Sequence, residues 1–84
     1  MDSKSGIFLN ISSPESQLLG QMVNSVSLPG LGGRFCILHD HAPLIAALGE
    51  GDIIYTVGEK KESLHIMSGF VEVGDNTVAV CAEI

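Results

Sequence analysis

The chain has 84 residues, of which 45% are hydrophobic and 17% charged, and ten acidic side chains against four basic ones leave a net charge of −6. That length gives one domain around one core, and the apolar content excludes a disordered segment. The acidic balance argues against nucleic-acid binding and against an anchor to anionic lipid, because both depend on a basic surface that neutralises phosphate.

No apolar run approaches the roughly 20 residues that span a bilayer. The longest runs are like Ala42 to Leu48, which contains Pro43. The opening Met1-Asp2-Ser3-Lys4-Ser5-Gly6 has no basic stretch followed by an apolar core, so no leader is expected. Cys36 and Cys81 are too few for a disulfide scaffold; each is expected as a small buried hydrophobe on a strand, in a reducing, cytoplasmic setting.

The hydrophobic period is two for most of the chain. Ile7, Leu9 and Ile11 alternate with Phe8, Asn10 and Ser12 as a first strand, and Pro14-Glu15 turns the chain. Met22 to Leu28 reads as a second strand, with Met22, Val26 and Leu28 on one face and a bulge near Asn24. Pro29-Gly30-Leu31-Gly32-Gly33 is a turn, and Arg34 to Leu38 a short strand with Phe35 and Ile37 on one face. Ala42 to Leu48 reads as an edge or irregular strand because of its proline. Asp52 to Val57 follows, then a charged hairpin tip over Gly58 to Glu62. Leu64 to Met67, Phe70 to Val73 and Thr77 to Cys81 complete the strands, with a tight turn at Gly74-Asp75-Asn76. Short strands between glycine-rich turns predict a β-sandwich or barrel.

No catalytic set assembles from the residues. Gly30-Leu31-Gly32-Gly33 lacks the helix N-terminus and lysine of a phosphate cradle. His39 and His41 could chelate a metal if they shared a strand face, but a closed site needs about four ligands. The simpler reading has His41 bracing the loop before Ala42-Pro43. Ser68 stands outside any Gly-x-Ser-x-Gly elbow, and Lys60-Lys61 sits between glutamates as an ordinary solvated turn. Phe8, Met67 and Phe70 lie opposite the apparent core set, so at least one is expected on the surface as part of an apolar patch. From the residues alone the chain is a small acidic β-sandwich that works by contact with a protein partner.

Four segments in order carry a resemblance. They are Ser12-Ser13-Pro14-Glu15 with Leu19-Gly20; Val26-Ser27-Leu28-Pro29-Gly30 leading to Phe35 and Ile37-Leu38; His41-Ala42-Pro43-Leu44-Ile45 with Leu48 and Gly51-Asp52-Ile53; and Ser68-Gly69-Phe70-Val71-Glu72-Val73 followed by Asn76-x-Val78-x-Val80 and Ala82-Glu83. Together they resemble the epsilon subunit of F-type ATP synthases, called delta in mitochondria. The resemblance implies an all-β, two-sheet sandwich or flattened barrel of about ten short strands. It spans residues 1–84 as a single domain, without the helical hairpin that follows in the family.

The resemblance also implies a non-catalytic rotor subunit of the central stalk, with no cofactor, metal or small-molecule substrate of its own. Its partners would be the gamma subunit and the membrane c-ring, and it would couple proton-driven rotation to ATP synthesis. Its place would be peripheral, on the cytoplasmic face of the bacterial inner membrane, held there through the complex. The positions matching gamma contacts are Ser13, His41, Ala46, Met67, Ser68 and Gly69. Those matching the ring-facing turn are Gly30, Leu31, Gly32, Gly33 and Arg34, with Arg34 where some members carry an acidic residue. Without the hairpin, such a chain is expected to couple constitutively and not to inhibit ATP hydrolysis. The alternative is an unrelated protein-binding sandwich.

Overall fold

A computed structural model describes residues 6–84; the reading of residues 1–5 as free of a leader lies outside them. The described residues form nine strands: β1 (Ile7–Ser12), β2 (Gln17–Val23), β3 (Ser25–Gly30), β4 (Gly33–Ile37), β5 (Leu44–Leu48), β6 (Gly51–Val57), β7 (Lys60–Ile66), β8 (Ser68–Gly74) and β9 (Thr77–Glu83). They make one curled sheet in the order β2-β1-β9-β8-β5-β3-β6-β7, with β4 on β3. Only β1 and β9 run parallel.

The curl creates two layers. β2-β1-β9-β8-β5 forms the first and β4-β3-β6-β7 the second. They share a single residue pair, Gly30 with Leu48. Two backbone bonds reinforce that corner: Leu31 N–H to the Ala47 carbonyl at 3.1 Å and Gly49 N–H to the Pro29 carbonyl at 2.8 Å. Inward rows from both layers, including Leu9, Ile11, Leu28, Ile53, Ile66 and Val71, are fully buried between them. The two-sheet sandwich expected from the sequence is therefore present, as two halves of one continuous sheet.

Strand alternation explains most of the local agreement. Phe35 packs against the core and Ile37 lies in it. Asp75 and Asn76 form the two-residue loop between β8 and β9, both with positive φ (51° and 55°), as a type I′ hairpin requires. At the β6–β7 tip, Gly58 takes φ +62° in the first loop position.

Several expectations are corrected. Met22 is 54% exposed while Val23 is 2% exposed, so Met22 does not share a face with Val26 and Leu28. The chain breaks at Asn24, between β2 and β3, and the lost residue of pleat inverts the parity. Asn24 holds that corner, its N–H donating to the Thr56 carbonyl and its Oδ1 accepting from the Gly58 N–H. β2 also begins earlier, at Gln17, where backbone pairing with β1 organises a segment without alternation.

β5 is not an edge. Pro43 precedes it, and it pairs with β8 along its length and with β3 at the corner. The charged tip is only Gly58-Glu59, because Lys60 to Glu62 already pair with β6. Cys36 is exposed and Cys81 half-buried, both as free thiols. Each alternates with inward neighbours, Phe35 and Ile37 or Val80 and Ala82, and so must point outward.

Core and surface positions should respond differently. Leu28→Ala should cost about 2–5 kcal/mol of unfolding free energy in urea titration. Ile45→Ala, on a side chain 75% exposed, should stay within about 0.5 kcal/mol. Glycines divide the same way. A Cβ on Gly69 would run into the Cys81 carbonyl oxygen and lie 2.9 Å from Ala82 Cα, whereas one on Gly32 would meet nothing within 4 Å. Gly69→Val should therefore destabilise by about 1–3 kcal/mol, and Gly32→Ala should unfold at nearly the parental urea concentration.

Candidate functional site

The register sorts the loops into two ends. One end gathers the β1–β2 turn, the Leu31-Gly32 turn, the β5–β6 turn and the bend at Met67. The other holds the β4–β5 loop, the Asp75-Asn76 turn and the Gly58-Glu59 tip. Of the candidate gamma-contact residues, Ser13, Met67, Ser68 and Gly69 fall at the first end, together with the whole Gly30 to Arg34 turn. His41 falls at the second. Ala46 pairs with Val71 on the inward row and packs against the core, so only its neighbours Ile45 and Ala47 face outward.

At the first end an apolar groove of about 330 Å³ opens on the outer face of the first layer. Ala47, Phe70 and Cys81 are consecutive cross-strand neighbours along it. Leu31 from the glycine turn and Pro14 from the β1–β2 turn line its ends, and Gly69 lies in its floor. The bare backbone of Gly69 lets β9 come close, as the clash of a Cβ there shows. Phe70 is 57% exposed and Leu31 72% exposed, a large amount of apolar surface for one small end.

The apolar character continues across the first layer. Cross-strand rows place Ile45, Glu72, Ala79, Asn10 and Gly20 side by side, and Phe8 beside Met22. The outward positions of these five strands carry two charged side chains, Glu72 and Glu83, and no cation. At least one of Phe8, Met67 and Phe70 was expected on the surface, and all three are exposed.

The second layer is different. Arg34 does not project freely from the turn. Its guanidinium donates to Ser27 Oγ at 2.8 Å and to the Asp52 carbonyl at 2.7 Å, lying across β4, β3 and β6. Beside it His65 contacts the carboxylates of Asp52 and Glu50 at 2.8 and 3.3 Å. Those contacts, Asp52 first and then Glu50, raise its pKa from the ordinary 6.5. Sequence reading missed this cluster, because Asp52 and His65 meet only through the β6–β7 register.

His39 and His41 lie in the β4–β5 loop and not on a strand, so strand geometry does not aim them together. His41 braces its loop: its N–H donates to the Leu38 carbonyl at 3.1 Å and its Nδ1–H to the Ala42 carbonyl at 2.7 Å. His39 Nδ1 sits 3.3 Å from the Asp40 carboxylate. Asp40, at φ +64°, is clasped by Asn76, whose Oδ1 accepts its N–H at 2.7 Å. Among the described residues no three His, Cys, Asp or Glu side chains converge as a metal-holding group. No helix among them is long and apolar enough to cross a membrane.

Comparisons with known proteins agree with this architecture. The family model for the ATP synthase delta/epsilon chain β-sandwich domain matches residues 7–84. The ATP synthase epsilon chain of Maridesulfovibrio salexigens is 36% identical over 80 residues, covering 95% of this chain and 56% of the relative. That of Leptospira borgpetersenii is 44% identical over 77 residues, covering 89% of this chain and 61% of the relative. The chain thus spans less than two thirds of the length of these curated relatives. Among solved structures, a chain of the Euglena gracilis mitochondrial ATP synthase OSCP/F1/c-ring assembly superposes with a TM-score of 0.87 at 21% identity, covering 98% of this chain and 53% of that one. A chain of the Tetrahymena thermophila mitochondrial ATP synthase central stalk and c-ring gives 0.75 at 14% identity, covering 99% and 67%. With a family model matching nearly the whole chain and epsilon chains as its relatives, this protein belongs to the ATP synthase delta/epsilon β-sandwich family.

Proposed function

We propose that this sandwich serves as a central-stalk component of an F-type ATP synthase, docking on the gamma subunit through the outer face of its first layer. The observation that carries this reading is the groove at Phe70. It is apolar, open, and continuous with a sheet face bearing two carboxylates and no cation. Interface cores are depleted in charge and built around aromatic anchors set in water-excluding pockets. Phe70, exposed between Ala47 and Cys81, would supply such an anchor once covered. Gly69 would lie beneath the same contact with Ser13, Met67 and Ser68 at its rim, and His41 would touch gamma from the far end.

The Gly30 to Arg34 turn would meet the c-ring through Leu31, its exposed apolar tip. Arg34 is occupied with Ser27 and Asp52, so its part there is to stiffen the turn, with its charge held against the sheet. The chain itself would perform no chemistry. It would transmit torque as a rigid body at the cytoplasmic face of the membrane, coupling proton-driven ring rotation to ATP synthesis in the head.

Two sets of variants test the reading. Phe70→Ala should weaken binding to purified gamma by about 2 kcal/mol, roughly thirtyfold. Phe70→Asp should abolish co-purification while circular dichroism and urea stability stay near parental. Ser63→Asp, on the second layer, should leave gamma binding intact. Retention of gamma by Phe70→Asp would overturn the docking face. Leu31→Asp should reduce recovery of c-ring more than it weakens gamma binding, because Leu31 lines only one end of the Phe70 groove, and His41→Ala should change gamma affinity less than Phe70→Ala.

A further inference from the structure

On the outer face of the second layer one imidazole is shared by two carboxylates, and the geometry has a protonation requirement. Asp52 and His65 are cross-strand partners on β6 and β7. His65 Nδ1 faces Asp52 Oδ1 at 2.8 Å, and Nε2 faces Glu50 Oε2 at 3.3 Å. A neutral imidazole has one N–H and one lone pair, and an ionised carboxylate only accepts. A neutral ring can therefore satisfy one of these contacts but sets lone pair against lone pair at the other. Only the imidazolium donates at both.

The two carboxylates sit on different pieces of chain. Asp52 is paired into β6, whereas Glu50 stands in the turn between β5 and β6. That turn is part of the corner that joins the layers. Gly49 donates to the Pro29 carbonyl at 2.8 Å, and a Cβ on Gly49 would lie 3.0 Å from Leu31 Cδ2, so the Leu31 side chain rests on it. We propose that His65 is a proton-operated latch, which when doubly protonated ties the Gly49-Glu50 turn to β7 and so braces the Leu31 tip, and which lets go of Glu50 when it loses a proton. The latch stands independently of the partners assigned above.

The surrounding charges favour its closed form. Asp52 from β6 and Glu50 from the turn face the ring. Arg34 from β4 approaches only as far as the Asp52 carbonyl oxygen. On β7 itself the next outward residue is Ser63, and Lys61 lies one step beyond. Two carboxylates thus outweigh one nearby guanidinium. The folded imidazole titrates above the ordinary 6.5, so its contribution to stability is complete below that value. It is lost as pH rises through the raised folded value.

The test is an NMR titration of the intact chain, following the His65 ring signals and the amide of Gly49. The midpoint for His65 should lie above 6.5 and drop in both Glu50→Gln and Asp52→Asn, with the larger drop in Asp52→Asn. Exchange protection at Gly49, corrected for intrinsic rate, should fall as pH rises through the His65 midpoint and should become flat in His65→Gln. A midpoint at or below 6.5 would overturn the latch. So would a midpoint unmoved by Glu50→Gln, or Gly49 protection that ignores the titration.

Discussion

Two layers with a common core are held in one piece of hydrogen-bonded sheet by a single corner, where Gly30 meets Leu48. On either side of it, Pro29 and Leu31 exchange backbone bonds with Gly49 and Ala47. A sheet of nine strands that twists as native sheets do cannot stay flat, and curling lets it cover its own apolar face. The corner is the place where the path of the sheet passes from one layer to the other. Leu48 and Leu28 pack in the core beside it, so the backbone bonds and the hydrophobic burial support each other. Leu31, Gly49 and Glu50 all belong to segments that enter or leave the corner.

The outer faces divide the work. Along the first layer, outward positions include Phe70, Phe8, Met22 and Ile45 above Gly20, Ala47 and Ala79, with Glu72 and Glu83 as their charged side chains. Along the second, outward positions carry Arg34, Asp52, Lys61 and His65. A net charge of −6 is thus spread unevenly, and the layer that lacks cations also owns the groove. A surface of this kind loses little on being covered by another protein, because few charges must be stripped of water. The polar layer is tied across its strands by Arg34 and to the Gly49-Glu50 turn by His65.

Much of the fold was legible because strand period is local. Ile7, Leu9 and Ile11 face inward and Phe8 outward for reasons present in six consecutive residues. The Asp75-Asn76 turn is legible for the same reason, since short polar residues tolerate left-handed backbone. The failures fall where parity or pairing is set from elsewhere. Asn24 breaks the pleat by bonding to Thr56 and Gly58, over thirty residues away in sequence, and so turns Met22 out and Val23 in. Gln17 to Gln21 becomes strand because β1 offers an edge, and Pro43 gives β5 the look of an edge strand that its two neighbours contradict. The cysteines went astray for want of parity alone.

The sequence by itself determined an acidic all-β domain, the alternation that divides core from surface, and the family to which the order of its motifs points. Tertiary structure decided which surfaces meet. It joined Leu31, Phe70 and Pro14 in one groove, sent His41 to the opposite end, turned Ala46 inward against the core and set His65 between two carboxylates. The physical reason is range. Which way a side chain points depends on its immediate neighbours along a strand, whereas what it touches depends on the register between strands, which is set by the packing of the whole sheet.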